Sequence, residues 1–192
     1  MAEITSAISF IEFAVLVSQA LEDAGLTATL SGGAAVSIYS KNSYESADLD
    51  FVTAAGIAEL KLALEPLGFV HTGQPRLSVF EYPNIHWYLE FPPAPLSFGG
   101  TYFGLSDCAL LNTRFGTLRI ISATQSIMDR LATASAWNEP QSLEQAALVA
   151  EHQHAQIDWK QLAQWVRNEG IADHRFVVEF YERMKQPGFD PQ

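Results

Sequence analysis

The sequence predicts an α/β (α+β) fold: a small mixed β-sheet core flanked by helices, with a C-terminal helical bundle. Three observations predict it. Short apolar runs bounded by Gly, Pro and Asn alternate with helix-period segments up to about residue 122. From Thr124 onward apolar residues recur only at three- and four-residue spacing. The change of period divides the chain into an α/β domain, residues 1–122, and a helical region, residues 123–192.

The elements follow in order. Phe10, Phe13, Ala14, Val17, Ala20 and Leu21 form one helical stripe that Gly25 closes, and Ser9 with Glu12 has the spacing of a capping box. Leu26 to Leu30 reads as a strand, Ser31-Gly32-Gly33 breaks it, and Ala34 to Tyr39 reads as a short helix. Lys41 to Ala47 is a polar loop, Asp48 to Val52 a strand, and Ala55 to Leu67 a helix. Strand-like runs follow at 69–72, 77–82 and 85–91, with turns at Gly73-Gln74-Pro75 and Pro83-Asn84, and Pro92-Pro93-Ala94-Pro95 ends the last. Leu96 to Gly104 reads as an aromatic, glycine-rich loop; two strands around a Thr113–Gly116 turn complete the β part. Four helical stripes then run through Ile127, Leu143, Leu162 and Phe176. Trp137, Trp159 and Trp165 are expected in helix packing.

The chain has 192 residues, enough to bury a sizeable core, and a formal net charge of −11. The first hundred residues carry most of that excess, which disfavours a long polyanion on that half. With Cys108 as the single cysteine, internal disulfides and thiolate zinc sites are excluded. No Lys or Arg precedes Lys41 and no apolar run approaches a membrane span, so a cytoplasmic protein without a membrane partner is expected.

The chemistry concentrates in two stretches. On a strand, Asp48 and Asp50 project to one face while Leu49 and Phe51 project to the other. Two adjacent carboxylates repel, and a hard cation such as Mg²⁺ or Mn²⁺ removes that cost with oxygen ligands. Gly32-Gly33, between a strand and a helix, puts backbone N–H groups where an anion can approach, with the Ser31 hydroxyl beside them. Glu90, alone between Leu89 and Phe91, needs a partner if buried and suits a third metal ligand or a general base. Tyr88 and His86 would share its face. The Gly99–Gly104 spacing is no P-loop, because Leu105 stands where its lysine belongs.

The order Gly-Gly, helix, loop, apolar-Asp-apolar-Asp-apolar and a later apolar-acid-apolar strand resembles the nucleotidyltransferase fold of the DNA polymerase β superfamily. S-G-G-A-A-V and Y-E-S-A-D-L-D-F-V, with D-R-L-A-T-A-S-A-W-N-E-P-Q-S-L-E-Q-A further on, are most similar to the AbiEii toxin-like bacterial nucleotidyltransferases. The resemblance implies a metal-dependent enzyme that moves an NMP from an NTP to a hydroxyl of RNA or protein, with an antitoxin as partner. It implies nucleotide binding by Ser31, Gly32, Gly33 and Arg130, and catalysis and metal binding by Asp48, Asp50 and Glu90. Tyr44 takes the place of the arginine that often precedes the Asp pair. Two other readings stand beside it: a catalytically degenerate member that binds nucleotide or a partner protein, and an antibiotic-modifying nucleotidyltransferase whose acidic cleft attracts a cationic acceptor.

Overall fold

The computed structural model describes residues 4–72 and 78–185. The chain divides into two compact units. The first comprises Met1–Ala34, Ser46–Leu96 and Gly104–Ile121; the second comprises Ala35–Glu45, Ser97–Phe103 and Ser122–Gln192.

Helix α1 (Phe10–Asp23) buries Phe10, Phe13, Ala14, Val15, Val17, Ser18 and Leu21. Ser9 is its N-cap residue, but the hydroxyl makes no capping bond. Strand β1 (Ala28–Ser31) is buried throughout and runs into α2 (Gly32–Tyr39), which starts at the glycines rather than after them. Strand β2 (Asp48–Thr53) alternates half-buried and buried positions, the alternation the sequence predicts for it. Helix α3 (Ile57–Leu64) is shorter than the expected 55–67 run, because Pro66 converts its last turn to a 3₁₀ helix (Glu65–Leu67).

Strands β3 (Val70–His71), β4 (Val79–Glu81) and β5 (Tyr88–Glu90) are short. The expected Gly73-Gln74-Pro75 turn and the start of the 77–82 run lie outside the described residues. Leu96 to Gly104 is not a loop: β6 (Leu96–Phe98) and β7 (Thr101–Phe103) form a hairpin closed by Gly99-Gly100. Strands β8 (Ala109–Thr113) and β9 (Gly116–Ile120) form the second expected hairpin.

The main sheet has seven strands in the order β3-β4-β5-β2-β1-β9-β8. It is mixed: β2 runs antiparallel to β1 and parallel to β5, and β9 runs parallel to β1. Leu30, Leu49, Phe51, Phe80, Leu89, Leu118 and Ile120 are fully buried in this unit. Phe13 packs beside Phe69 and Trp87, and Phe91 bridges Phe51 and Phe80, at ring separations of 5.6 to 6.2 Å. Burying each such ring is worth about 1.5–3 kcal/mol, enough for a few of them to hold short strands in register.

The second unit holds α4 (Ala123–Trp137), α5 (Pro140–Gln153), α6 (Trp159–Asn168) and α7 (Arg175–Met184). Ser122 and Gln125 form a reciprocal capping box at the start of α4, and Asn138 ends that helix in the left-handed region. Pro140 then starts α5 at the position where its missing N–H costs nothing. Trp137 is 80% exposed, so the expectation that it packs between helices fails, whereas Trp165 is buried. No helix among the described residues is long and apolar enough to cross a membrane.

Candidate active site

Strand register builds the site. The antiparallel β1–β2 pairing sets Ser31 opposite Asp50, and the parallel β2–β5 pairing sets Asp48 beside Tyr88 and Asp50 beside Glu90. Register neighbours share a face, so Ser31, Asp50 and Glu90 form one row across three strands, and Asp48 and Tyr88 the next. Leu49 and Leu89 are neighbours too, on the opposite face, where both are fully buried. The apolar side of the same strands therefore fixes where the acids point.

Asp48, Asp50 and Glu90 each present a carboxylate oxygen, and these oxygens lie within 4.8 Å of one another. All three residues are half-buried. Three carboxylates so close repel unless protons or cations intervene. Burial, and then the charge of Asp48, push the Glu90 carboxyl above its ordinary value. Tyr88 feels the same field: burial first, then Asp48, Glu90 and Asp50, raise its hydroxyl above the usual phenol value. An oxygen-only trio of this size fits a hard divalent ion such as Mg²⁺ or Mn²⁺.

The glycines meet the acids directly. Gly32 has φ +60°, and a Cβ built on it would overlap the Asp50 carboxylate. Glycine is required there twice over, by backbone conformation and by space. The Ser31 hydroxyl donates to the Asp50 carbonyl oxygen at 3.3 Å, tying the end of β1 to β2. Ser31, Gly32, Gly33, Asp48, Asp50 and Glu90 thus all belong to the first unit.

Arg130 belongs to the second unit, on α4. Its Nε and Nη2 both donate to Asp129 Oδ2, at 3.2 and 2.7 Å, and its Nη1 donates to Gln145 Oε1 at 3.1 Å. The Arg130 side chain is 15% exposed, and its guanidinium is oriented by these partners.

One residue of the acidic face escaped the sequence. Ser46 is 3% exposed, and its hydroxyl donates to Asp48 Oδ1 at 2.8 Å. Its signal was the same period of two that joins Asp48 to Asp50, extended back into a segment that reads as polar loop.

No family model matches the chain, and no curated protein sequence is significantly similar to it. Solved structures are similar in fold. ANT(2")-Ia in complex with adenylyl-2"-tobramycin aligns at TM-score 0.56 and 15% identity over 91% of this chain and 99% of that one. A nucleotidyltransferase-like protein from Paracoccidioides brasiliensis aligns at 0.58 and 12%, over 92% of each chain. The lincosamide antibiotic adenylyltransferase LnuA, lincomycin-bound, aligns at 0.52 and 16%, over 74% of this chain and 96% of that one. The fold is that of the nucleotidyltransferases.

Proposed function

We propose that this protein is a divalent-metal-dependent nucleotidyltransferase that moves an NMP from an NTP to an acceptor hydroxyl. The observation that carries the reading is the convergence of Asp48, Asp50 and Glu90 from two strands in parallel register, beside Gly32 at the start of α2. Asp48, Asp50 and Glu90 are the residues that would hold Mg²⁺ or Mn²⁺. Bound there, the ion supplies charge neutralisation of the transferring phosphoryl group.

The chain's own groups do the rest. Backbone amides of Gly32 and Gly33, with the Ser31 hydroxyl, receive the phosphates at the start of α2. The Asp50 carboxylate over Gly32 sets how deep they can sit. Glu90, converging with the two aspartates, is the group suited to take the acceptor's proton as the acceptor oxygen attacks the α-phosphorus and pyrophosphate leaves. Arg130, on α4, is the basic residue that the family resemblance assigns to nucleotide binding.

As the acceptor we favour RNA or a protein hydroxyl, in the manner of the AbiEii-like toxins, with an antitoxin as partner in the cytoplasm. A cationic antibiotic is the second reading. Glu81 is exposed and sits beside Tyr88 in the β4–β5 register, which adds another acid to the site face, and two structural neighbours are complexes with adenylyl-2"-tobramycin and with lincomycin. Purified protein is given Mg²⁺, labelled NTPs and, separately, total RNA, total protein and aminoglycosides. Label should reach one acceptor class, and an Asp48→Ala/Asp50→Ala variant should lose it. No transfer to any acceptor, or equal transfer by that variant, overturns the proposal.

A further inference from the structure

We infer that Ser46 and Tyr88 are positioning residues that hold Asp48 in its metal-binding orientation before any ion arrives. The inference rests on the metal-site reading of the three acids and adds two residues to it. Strand geometry supplies the argument. Asp48 is the first residue of β2, where the backbone ladder is only beginning and a side chain is least restrained by its neighbours. Two hydroxyls compensate. Ser46, almost wholly buried two residues upstream, donates to Asp48 Oδ1 at 2.8 Å. Tyr88, its register neighbour on β5, shares the face, and its hydroxyl feels the charge of the same carboxylate.

A carboxylate that accepts from the Ser46 hydroxyl and has the Tyr88 hydroxyl as its register neighbour cannot swing freely about χ1 and χ2. That restraint matters here because Asp50 and Glu90 repel it. Without the clamp, Asp48 would relax away from its neighbours and an arriving ion would have to pull it back. Asp50 is placed differently, by the bare Gly32 beneath it. The two aspartates of one motif are thus oriented by unlike means: Asp50 by the absence of a side chain, Asp48 by the presence of two.

The test titrates metal-free protein with Mn²⁺ alone, following binding by calorimetry and by the electron paramagnetic resonance of the free ion. Tyr88→Phe and Ser46→Ala should each weaken Mn²⁺ binding about tenfold, the range seen when partners of ligating groups are removed. Ser46→Thr, which keeps the hydroxyl, should restore it. Thermal stability in EDTA should fall slightly in each variant, and the rise in melting temperature on adding Mn²⁺ should be smaller than the parent's, a difference that the loss of merely structural bonds would not produce. Parent-like Mn²⁺ affinity in both variants overturns the inference while leaving the metal site intact. A parent protein that binds no Mn²⁺ overturns the metal reading itself, and this inference with it.

Discussion

Gly32 and Asp50 compete for one volume: the space a Cβ would take on Gly32 is filled by the Asp50 carboxylate, and the Gly32 backbone is left-handed at φ +60°. A Gly32→Ala substitution therefore meets two obstacles. The left-handed conformation costs a non-glycine residue about 1–2 kcal/mol. The methyl group also displaces the carboxylate from its place beside Glu90. Transfer activity should fall by about 100-fold, since a displacement near 1 Å is enough for that, and the melting temperature should drop by a few degrees. A variant that loses stability but transfers normally would show that Asp50 need not sit there.

Glu90 makes the stability of the metal-free protein depend on pH with a defined sign. Its folded-state affinity for a proton is raised above the ordinary carboxylate value by burial and by Asp48. The folded protein therefore binds this proton more tightly than the unfolded chain does. The resulting stabilisation is complete below the unfolded value near 4.5 and disappears as pH rises through the folded one. Denaturant melts in EDTA across that window should show stability falling as pH rises, and Glu90→Gln should flatten the slope. Mg²⁺ should reverse it, because the ion binds the deprotonated trio. An unchanged slope in Glu90→Gln would assign the effect elsewhere.

A separate pair of bonds secures the β6–β7 hairpin. Glu169, at the end of α6, accepts from the Gly100 amide at 2.7 Å and from the Thr101 hydroxyl, all within the second unit. Glu169→Ala should cost about 1–3 kcal/mol, as for hydrogen bonds to a charged group. Limited proteolysis should then cut the hairpin at 99–102, where Tyr102 is 71% exposed. Glu169→Gln, which keeps the acceptor oxygen, should lose less.

Arg130 should show a double effect. Replacing it by Ala removes the bonds to Asp129 and Gln145 and should lower the melting temperature. If it serves the nucleotide as proposed, KM for the NTP should rise about tenfold, the worth of roughly 1.4 kcal/mol. A lower melting temperature with an unchanged KM would reduce Arg130 to a strut between α4 and α5.

The acidic face was legible because a strand writes it with the simplest possible code. Alternation from Asp48 to Thr53 placed Leu49 and Phe51 in the core and left the aspartates together, and Glu90 between Leu89 and Phe91 repeats the pattern. The β6–β7 hairpin was hidden because each strand is only three residues long, too short for a period to show, while Gly99-Gly100 reads as plain loop. Trp137 misled for another reason. It is the last residue of α4, where the helix runs out and Asn138 turns the chain away, so the stripe no longer faces a neighbour. Ser46 was overlooked because the period of two that joins it to Asp48 runs back into a segment whose composition reads as polar loop.

The parallel pairing of β2 with β5 has a consequence in time as well as in space. Asp50 and Glu90 meet only after α3, β3 and β4 have been made and the chain has crossed back, since no hairpin can join parallel strands. Such a contact forms after a long loop has closed, and it is slow compared with the helical turns around it. A chain still emerging from synthesis would carry the Asp pair long before it carried Glu90. The three acids would come together only once β5 had joined β2, and a copy made only as far as β4 would hold the Asp pair without its third carboxylate.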